Sequence, residues 1–143
     1  MKSVPATLHE TGLVLAFIVR SKQERLLDLL ARPQRRKDVL NRLYRAQDLE
    51  PRWMIPIQGA DRSAPGIERI LRSKGARDEC YVLSTRKELD GATMALNQAL
   101  RAVVGGGGGT LLSCIPGALG YYEGETPKDR WILERADDRS DDA

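Results

Sequence analysis

VGGGGGTLLSCIPGALGYYEGE, residues Val104 to Glu125, encloses a hairpin between two glycine-bearing connectors. Five consecutive glycines, Gly105 to Gly109, cannot be helix or strand interior, because glycine loses the most backbone freedom on ordering and has no side chain to bury. Thr110 to Ile115 is an apolar run of strand length, and Pro116-Gly117 suits the two central positions of a type II turn. In the return run, Ala118 to Glu123, the alternation sets Leu119, Tyr121 and Glu123 on one face and Gly120 and Tyr122 on the other. That period of two predicts a hairpin in a sheet with one face partly solvated.

The glycines invite comparison with a phosphate cradle, and the order of elements argues against it. Nucleotide loops run from strand through glycines into a helix N-terminus. Here the residues before the glycines, with Leu96, Leu100, Val103 and Val104 on one stripe, predict a helix whose C-terminal end enters the loop. No Gly-Lys-Ser/Thr follows, so the glycines read as a helix exit.

Working towards the N-terminus, Arg86 to Gly91 is a polar turn and Thr93 a candidate helix cap. CYVLS, Cys80 to Ser84, is a buried strand, and Ser63 and Pro65 open a short helix closed by Gly75. Asp48 to Ser63, with three breakers and the anchors Trp53, Met54, Ile55 and Ile57, predicts an irregular docked connection. Two basic helices precede it. One is capped by Ser21 with Glu24 and stops near Arg32; the other starts at Pro33 and buries Val39, Leu40, Leu43 and Tyr44. Leu13 to Val19 fits either a strand or a helix start, and residues 1–10 read as a loose lead-in. Beyond the hairpin, GETPKD is a turn and Arg130 to Arg135 a last strand.

The expected fold is therefore α+β: an antiparallel sheet with a C-terminal β-meander, one face covered by helices that include the N-terminal basic pair. Residues 1–135 form one domain and residues 136–143, ADDRSDDA, a disordered acidic tail. A length of 143 residues, with 41% hydrophobic and 30% charged residues, suits a single soluble domain with a sizeable core. The longest apolar run is too short to span a bilayer, which points to the cytoplasm and no membrane partner. Cys80 and Cys114 lie in strand-like runs without C-x-x-C spacing, so they read as buried reduced thiols.

Charge carries the best indication of a partner. Residues 1–77 have a net charge of +8 and residues 78–143 a net charge of −5. Arg32, Arg35, Arg36, Lys37, Arg42 and Arg45 concentrate cations around one helix and suit nucleic acid or an acidic protein, with a second copy of the chain as a further partner. No recognition-helix or RNA-binding motif accompanies them.

Catalytic groups are scarce, which points away from an enzyme. His9, the only histidine, sits in an unpatterned stretch and reads as exposed or incidental, so Ser-His-Asp, Cys-His and metal chemistry are not expected, nor is a cofactor. The alternative catalytic or ligand-binding candidates are Ser113, Cys114 and Glu123 on the hairpin, of which only one of Ser113 and Cys114 can share the face of Glu123. A third alternative is an immunity-type or structural module that self-associates through its opposed charged halves.

DLEPRW (48–53), RSKGARDECYVLS (72–84), ELDG (88–91) and SCIPGALGYYEGE (113–125) together resemble a group of small bacterial proteins without an assigned function. The resemblance implies a compact single domain of bacterial cytoplasmic origin and no particular chemistry. This sequence departs from that group's pattern at Ala118 and Gly120 of the hairpin, so no hairpin function is carried over.

Overall fold

A computed structural model describes residues 4–45, 47–106, 108–126 and 129–135. The acidic run 136–143 lies outside the described residues. Six strands make one sheet in the order β1-β6-β5-β4-β2-β3, with β1 Met54–Pro56, β2 Glu79–Ser84, β3 Thr93–Ala95, β4 Thr110–Ile115, β5 Leu119–Glu123 and β6 Arg130–Glu134. Every pairing is antiparallel. The α+β architecture and the meander β4-β5-β6 are as the sequence predicts.

The turn between β4 and β5 has the expected type II form. Gly117 takes φ +76°, and the Ala118 amide donates to the Ile115 carbonyl at 3.0 Å. Gly75 and Gly105, the two predicted helix exits, also have positive φ, at 108° and 89°.

The helices cover both faces of the sheet, not one. α1 (Ala6–Phe17), α2 (Arg20–Leu30) and α3 (Arg36–Tyr44) enclose a core with Leu83, Leu111, Tyr122 and Leu133. α4 (Ala64–Ser73) and α5 (Leu96–Val103) enclose a second core with Val82, Leu112, Tyr121 and Ile132 on the opposite side. TLLSCI is apolar at both parities because both of its faces are buried, which is the pattern of an interior strand rather than of a half-solvated one. The two three-residue strands, β1 and β3, form the edges.

Several local expectations change. The lead-in and the ambiguous run Leu13 to Val19 are mostly one helix, α1, whose Leu13, Val14, Ala16 and Phe17 are buried while Leu8 and Leu15 stay exposed. Ser21 is inside α2 and not its cap, because the helix starts one residue earlier, where the Val19 amide is held by the Asp48 carbonyl at 2.7 Å. Thr93 does not cap a helix. It pairs with Tyr81 in the ladder between β2 and β3, and α5 begins at Leu96. Among the described residues no helix is long and apolar enough to cross a membrane.

Candidate functional site: a basic cleft against Trp53

Three chain segments meet at the junction of α1 and α2. Ile18 bridges Leu49 in antiparallel fashion, and the Glu50 amide donates to the Phe17 carbonyl at 2.8 Å. This stitching lays DLEPRW against the start of α2. Asp48 adopts a positive φ of 72°, unusual for a residue with a side chain, and Arg42 forks onto its carboxylate at 2.5 and 3.1 Å. Arg42 is thus committed to shaping this loop. The Glu50 carboxylate caps the next turn, a short 3-10 segment at Pro51–Trp53, by accepting the Arg52 amide at 3.0 Å.

The turn delivers Trp53 directly before β1. Met54, Ile55 and Pro56 pair with Leu133, Ile132 and Trp131. Arg52 of that turn and Arg135, one residue beyond β6, meet at the indole. Both guanidinium groups lie against the Trp53 ring, with Cζ of Arg52 4.5 Å and Cζ of Arg135 5.3 Å from its centroid. Arg135 also donates to the Leu15 carbonyl at 3.0 Å, while Gln23 of α2 donates to the Ile18 carbonyl at 2.9 Å, closing the wall.

The result is an open cleft of about 440 Å³, lined by Leu15, Ala16, Ile18, Arg20, Gln23, Glu50, Arg52, Trp53 and Arg135. Among the described residues the lining includes the arginines Arg20, Arg52 and Arg135 and the acid Glu50. An arginine stacked on an indole keeps its N–H donors at the guanidinium edge, the geometry that grips phosphate or carboxylate oxygens. The volume suits one nucleotide or a few amino-acid residues.

The predicted basic face is largely occupied by its own acids. Arg32 meets Asp28 at 3.3 Å and Arg35 meets Asp38 at 3.1 Å, both exposed pairs. Arg36 does not point outward. It reaches under α1, pairing with Asp90 at 2.7 and 3.1 Å and with Glu10 at 2.7 Å. Lys37 and Arg45 remain exposed and have no acidic partner among the described residues.

The hairpin candidates separate. Ser113 faces α1, where His9 Nδ1 lies 2.6 Å from its Oγ. Glu123 is on the other face, fully buried, accepting the Tyr121 hydroxyl at 2.7 Å and the Gly105 amide at 3.0 Å, with Arg130 Nε 3.6 Å away. Cys114 is buried on the α4–α5 side, where burial raises its thiol pKa, as it raises that of Cys80 to about 12. Neither thiol is poised as a nucleophile.

His9 is the clearest correction. It is 4% exposed, stacked on Tyr81 with ring centroids 5.3 Å apart, and its pKa is lowered by burial. The Tyr81 hydroxyl donates to Glu10, which Arg36 also holds. Among the described residues no carboxylate bonds His9, and Ser113 is wholly buried, so the pair lacks the third member and the substrate access of a hydrolytic triad. It is an interior polar bridge. No three acids, histidines or cysteines converge as metal ligands among the described residues.

Arg20, Arg52, Trp53 and Arg135 do not stand out as a site in the sequence, since they come from three segments far apart in the chain. Trp53 shows there only as a loop anchor. No protein-family model, curated protein or solved structure matches this chain.

Proposed function

We propose that the protein is a small cytoplasmic binding protein whose partner is nucleic acid, held by a phosphate in the cleft against Trp53. The observation that carries this reading is the stacking of Arg52 and Arg135 on Trp53 in a cleft that Arg20 also lines. Two guanidinium forks and an indole edge match a phosphate flanked by a base, the pairing that single-stranded nucleic acid presents repeatedly. Lys37 and Arg45, with the net +8 of residues 1–77, supply attraction at longer range. Reduced, buried Cys80 and Cys114 are in keeping with a cytoplasmic setting.

The test is fluorescence anisotropy with a short labelled oligothymidine at about 50 mM salt, where phosphate contacts are strongest. Wild type binds, and a variant carrying Arg20→Gln, Arg52→Gln and Arg135→Gln binds at least about tenfold more weakly, each phosphate fork contributing on the order of 1 kcal/mol or more. Equal binding by the two proteins removes the cleft from the reading. Binding of polyglutamate without binding of oligothymidine replaces nucleic acid with an acidic protein.

A further inference from the structure

We propose that Cys80 and Cys114 are an oxidation site, a cross-strand pair of thiols that hydrogen peroxide closes to a disulfide within the folded chain. Tyr81 of β2 pairs with Ser113 of β4, and the residue before Tyr81 and the residue after Ser113 are the two cysteines. Both are buried in the core shared with α4 and α5, so their side chains leave the sheet on the same face. Both thiols are free in the structure.

The strand pairing sets their separation. The Val82 amide donates to the Ala92 carbonyl at 2.9 Å and the Val82 carbonyl accepts the Gly91 amide at 2.8 Å, both on the side away from β4. Its pairing with Leu112 is therefore of the non-hydrogen-bonded kind. By the alternation of an antiparallel ladder the position two residues along, Cys80 opposite Cys114, is of the same kind. Residues so opposed have Cα atoms about 4.5 Å apart, with side chains closer than at the hydrogen-bonded positions, and a disulfide spans roughly 4.4 to 6.8 Å. β4 also bulges at Cys114 against β5, since Ser113 pairs with Gly120 and Ile115 with Leu119. A bulge interrupts the ladder locally, which leaves Cys114 room to adjust as the sulfur–sulfur bond forms.

Burial, then the nearness of Cys80, raises the Cys114 thiol pKa, with the Arg72 guanidinium pulling the other way, and burial raises Cys80 to about 12. The closed fold therefore holds the pair protonated, and oxidation belongs to a locally opened state. The segment between α4 and β2 is suited to that opening. A Cβ on Gly75 would stand 3.5 Å from the side chain of Ile115, the neighbour of Cys114, and the segment is tied down by exposed ion pairs, Lys74 to Glu134 at 2.7 Å and Arg72 to Asp78 at 2.9 Å. Such pairs hold weakly. Cys114, 7% exposed against 1% for Cys80, reacts first. Its thiolate attacks one peroxide oxygen, the S–O bond forms as the O–O bond breaks, and the hydroxide leaves as water with the proton the thiol released, giving the sulfenic acid. The Cys80 sulfur then displaces the hydroxyl group, the S–S bond forms as the S–O bond breaks, and a second water carries off the Cys80 proton. The two thiols together lose two electrons, and one peroxide is reduced to two waters.

The test is exposure of the native full chain to hydrogen peroxide at about pH 8, near the pKa of an ordinary thiol, followed by alkylation of the remaining thiols in denaturant and peptide mapping without reductant. The expected product is a monomer lighter by two hydrogens, with the Cys80 and Cys114 peptides joined and dithiothreitol restoring both thiols. In Cys80→Ala the reaction stops at a Cys114 sulfenic acid that dimedone captures, and in Cys114→Ala the oxidation of Cys80 is slower by about tenfold or more, because the more accessible thiol is gone. The mapping of wild type decides the matter without either variant. The same exposure of the chain unfolded in urea is the reference. Three results each overturn the pair: both native thiols still alkylated after an exposure that joins them in urea, disulfides only between molecules, or Cys114 carried on to the sulfinic acid with Cys80 still free.

Discussion

His9 Nδ1 and Ser113 Oγ lie 2.6 Å apart, joining the first helix to a middle strand of the sheet across 104 residues of chain. Beside this bridge, Tyr81, Glu10, Arg36 and Asp90 form a continuous polar layer within an otherwise apolar interface. Such a layer stabilises only if every member keeps its partner.

Arg36→Met tests that condition. Arg36 is largely enclosed and holds two carboxylates, so its loss leaves Glu10 and Asp90 facing each other with little solvent. The expected cost is about 2 to 4 kcal/mol, read by urea denaturation, and Arg36→Lys recovers only part of it because an ammonium cannot fork onto Asp90. Arg35→Met, one residue earlier but in an exposed pair, costs under about 0.5 kcal/mol.

A pH prediction follows from His9. Burial lowers its pKa below the ordinary 6.5, and the surrounding groups are Ser113 and Tyr81, with Glu10 committed to Tyr81 and Arg36. The unfolded chain therefore binds the proton more readily than the native one. The contribution of neutral His9 is fully present above pH 6.5 and is lost as pH falls through the lower native value. Wild type should lose melting temperature between pH 7 and pH 5 more steeply than His9→Gln, which does not titrate there; parallel profiles would show that His9 is not linked to folding.

What the sequence made legible was what local chemistry determines. Pro116-Gly117 specifies its turn within four residues, and the stripes of α3, α4 and α5 lie within single segments. Two kinds of feature were hidden. α1 is apolar on nearly all sides, so its periodicity could not declare a helix, and β1 exists only through pairing with β6, some 77 residues away. The cleft was hidden for the second reason, since Arg20, Arg52 and Arg135 meet only through the bridge between Ile18 and Leu49 and the register of β1 with β6. The prediction of a one-sided sheet failed because alternation of side-chain direction was read as alternation of exposure, whereas Tyr121 and Tyr122 are both buried on opposite faces.

Gly12→Ala offers a test whose sign is informative. In an exposed helix interior the change stabilises by about 1 kcal/mol. Here a Cβ on Gly12 would stand 2.6 Å from the Gly117 amide nitrogen, so α1 must move off the hairpin turn. A destabilisation of about 1 to 3 kcal/mol is expected, as for an overfilled core. Gly117→Val should cost a similar amount for a different reason, the positive φ of 76° that a β-branched residue resists. A neutral or stabilising Gly12→Ala would show that α1 does not pack on the turn.

The last prediction separates the cleft from the helical cations by salt. Lys37 and Arg45 are exposed and lack acidic partners among the described residues, while Arg35 is half-tied to Asp38. Each can approach a phosphate but none sits in a cleft, so they contribute counterion release and little geometry. Reversing Arg35, Lys37 and Arg45 to Glu should flatten the dependence of log K on log salt by about 1 to 2, at roughly 0.7 for each single-strand phosphate that is no longer neutralised. The folded state should be nearly unaffected, because exposed substitutions rarely cost more than about 0.5 kcal/mol each. The Arg20, Arg52 and Arg135 variant should behave differently, losing saturable binding itself. If the helical reversal abolishes binding and the cleft variant leaves it intact, the interface belongs to α3, and the cleft against Trp53 is a structural feature of the loop that Arg42 and Asp48 hold in place.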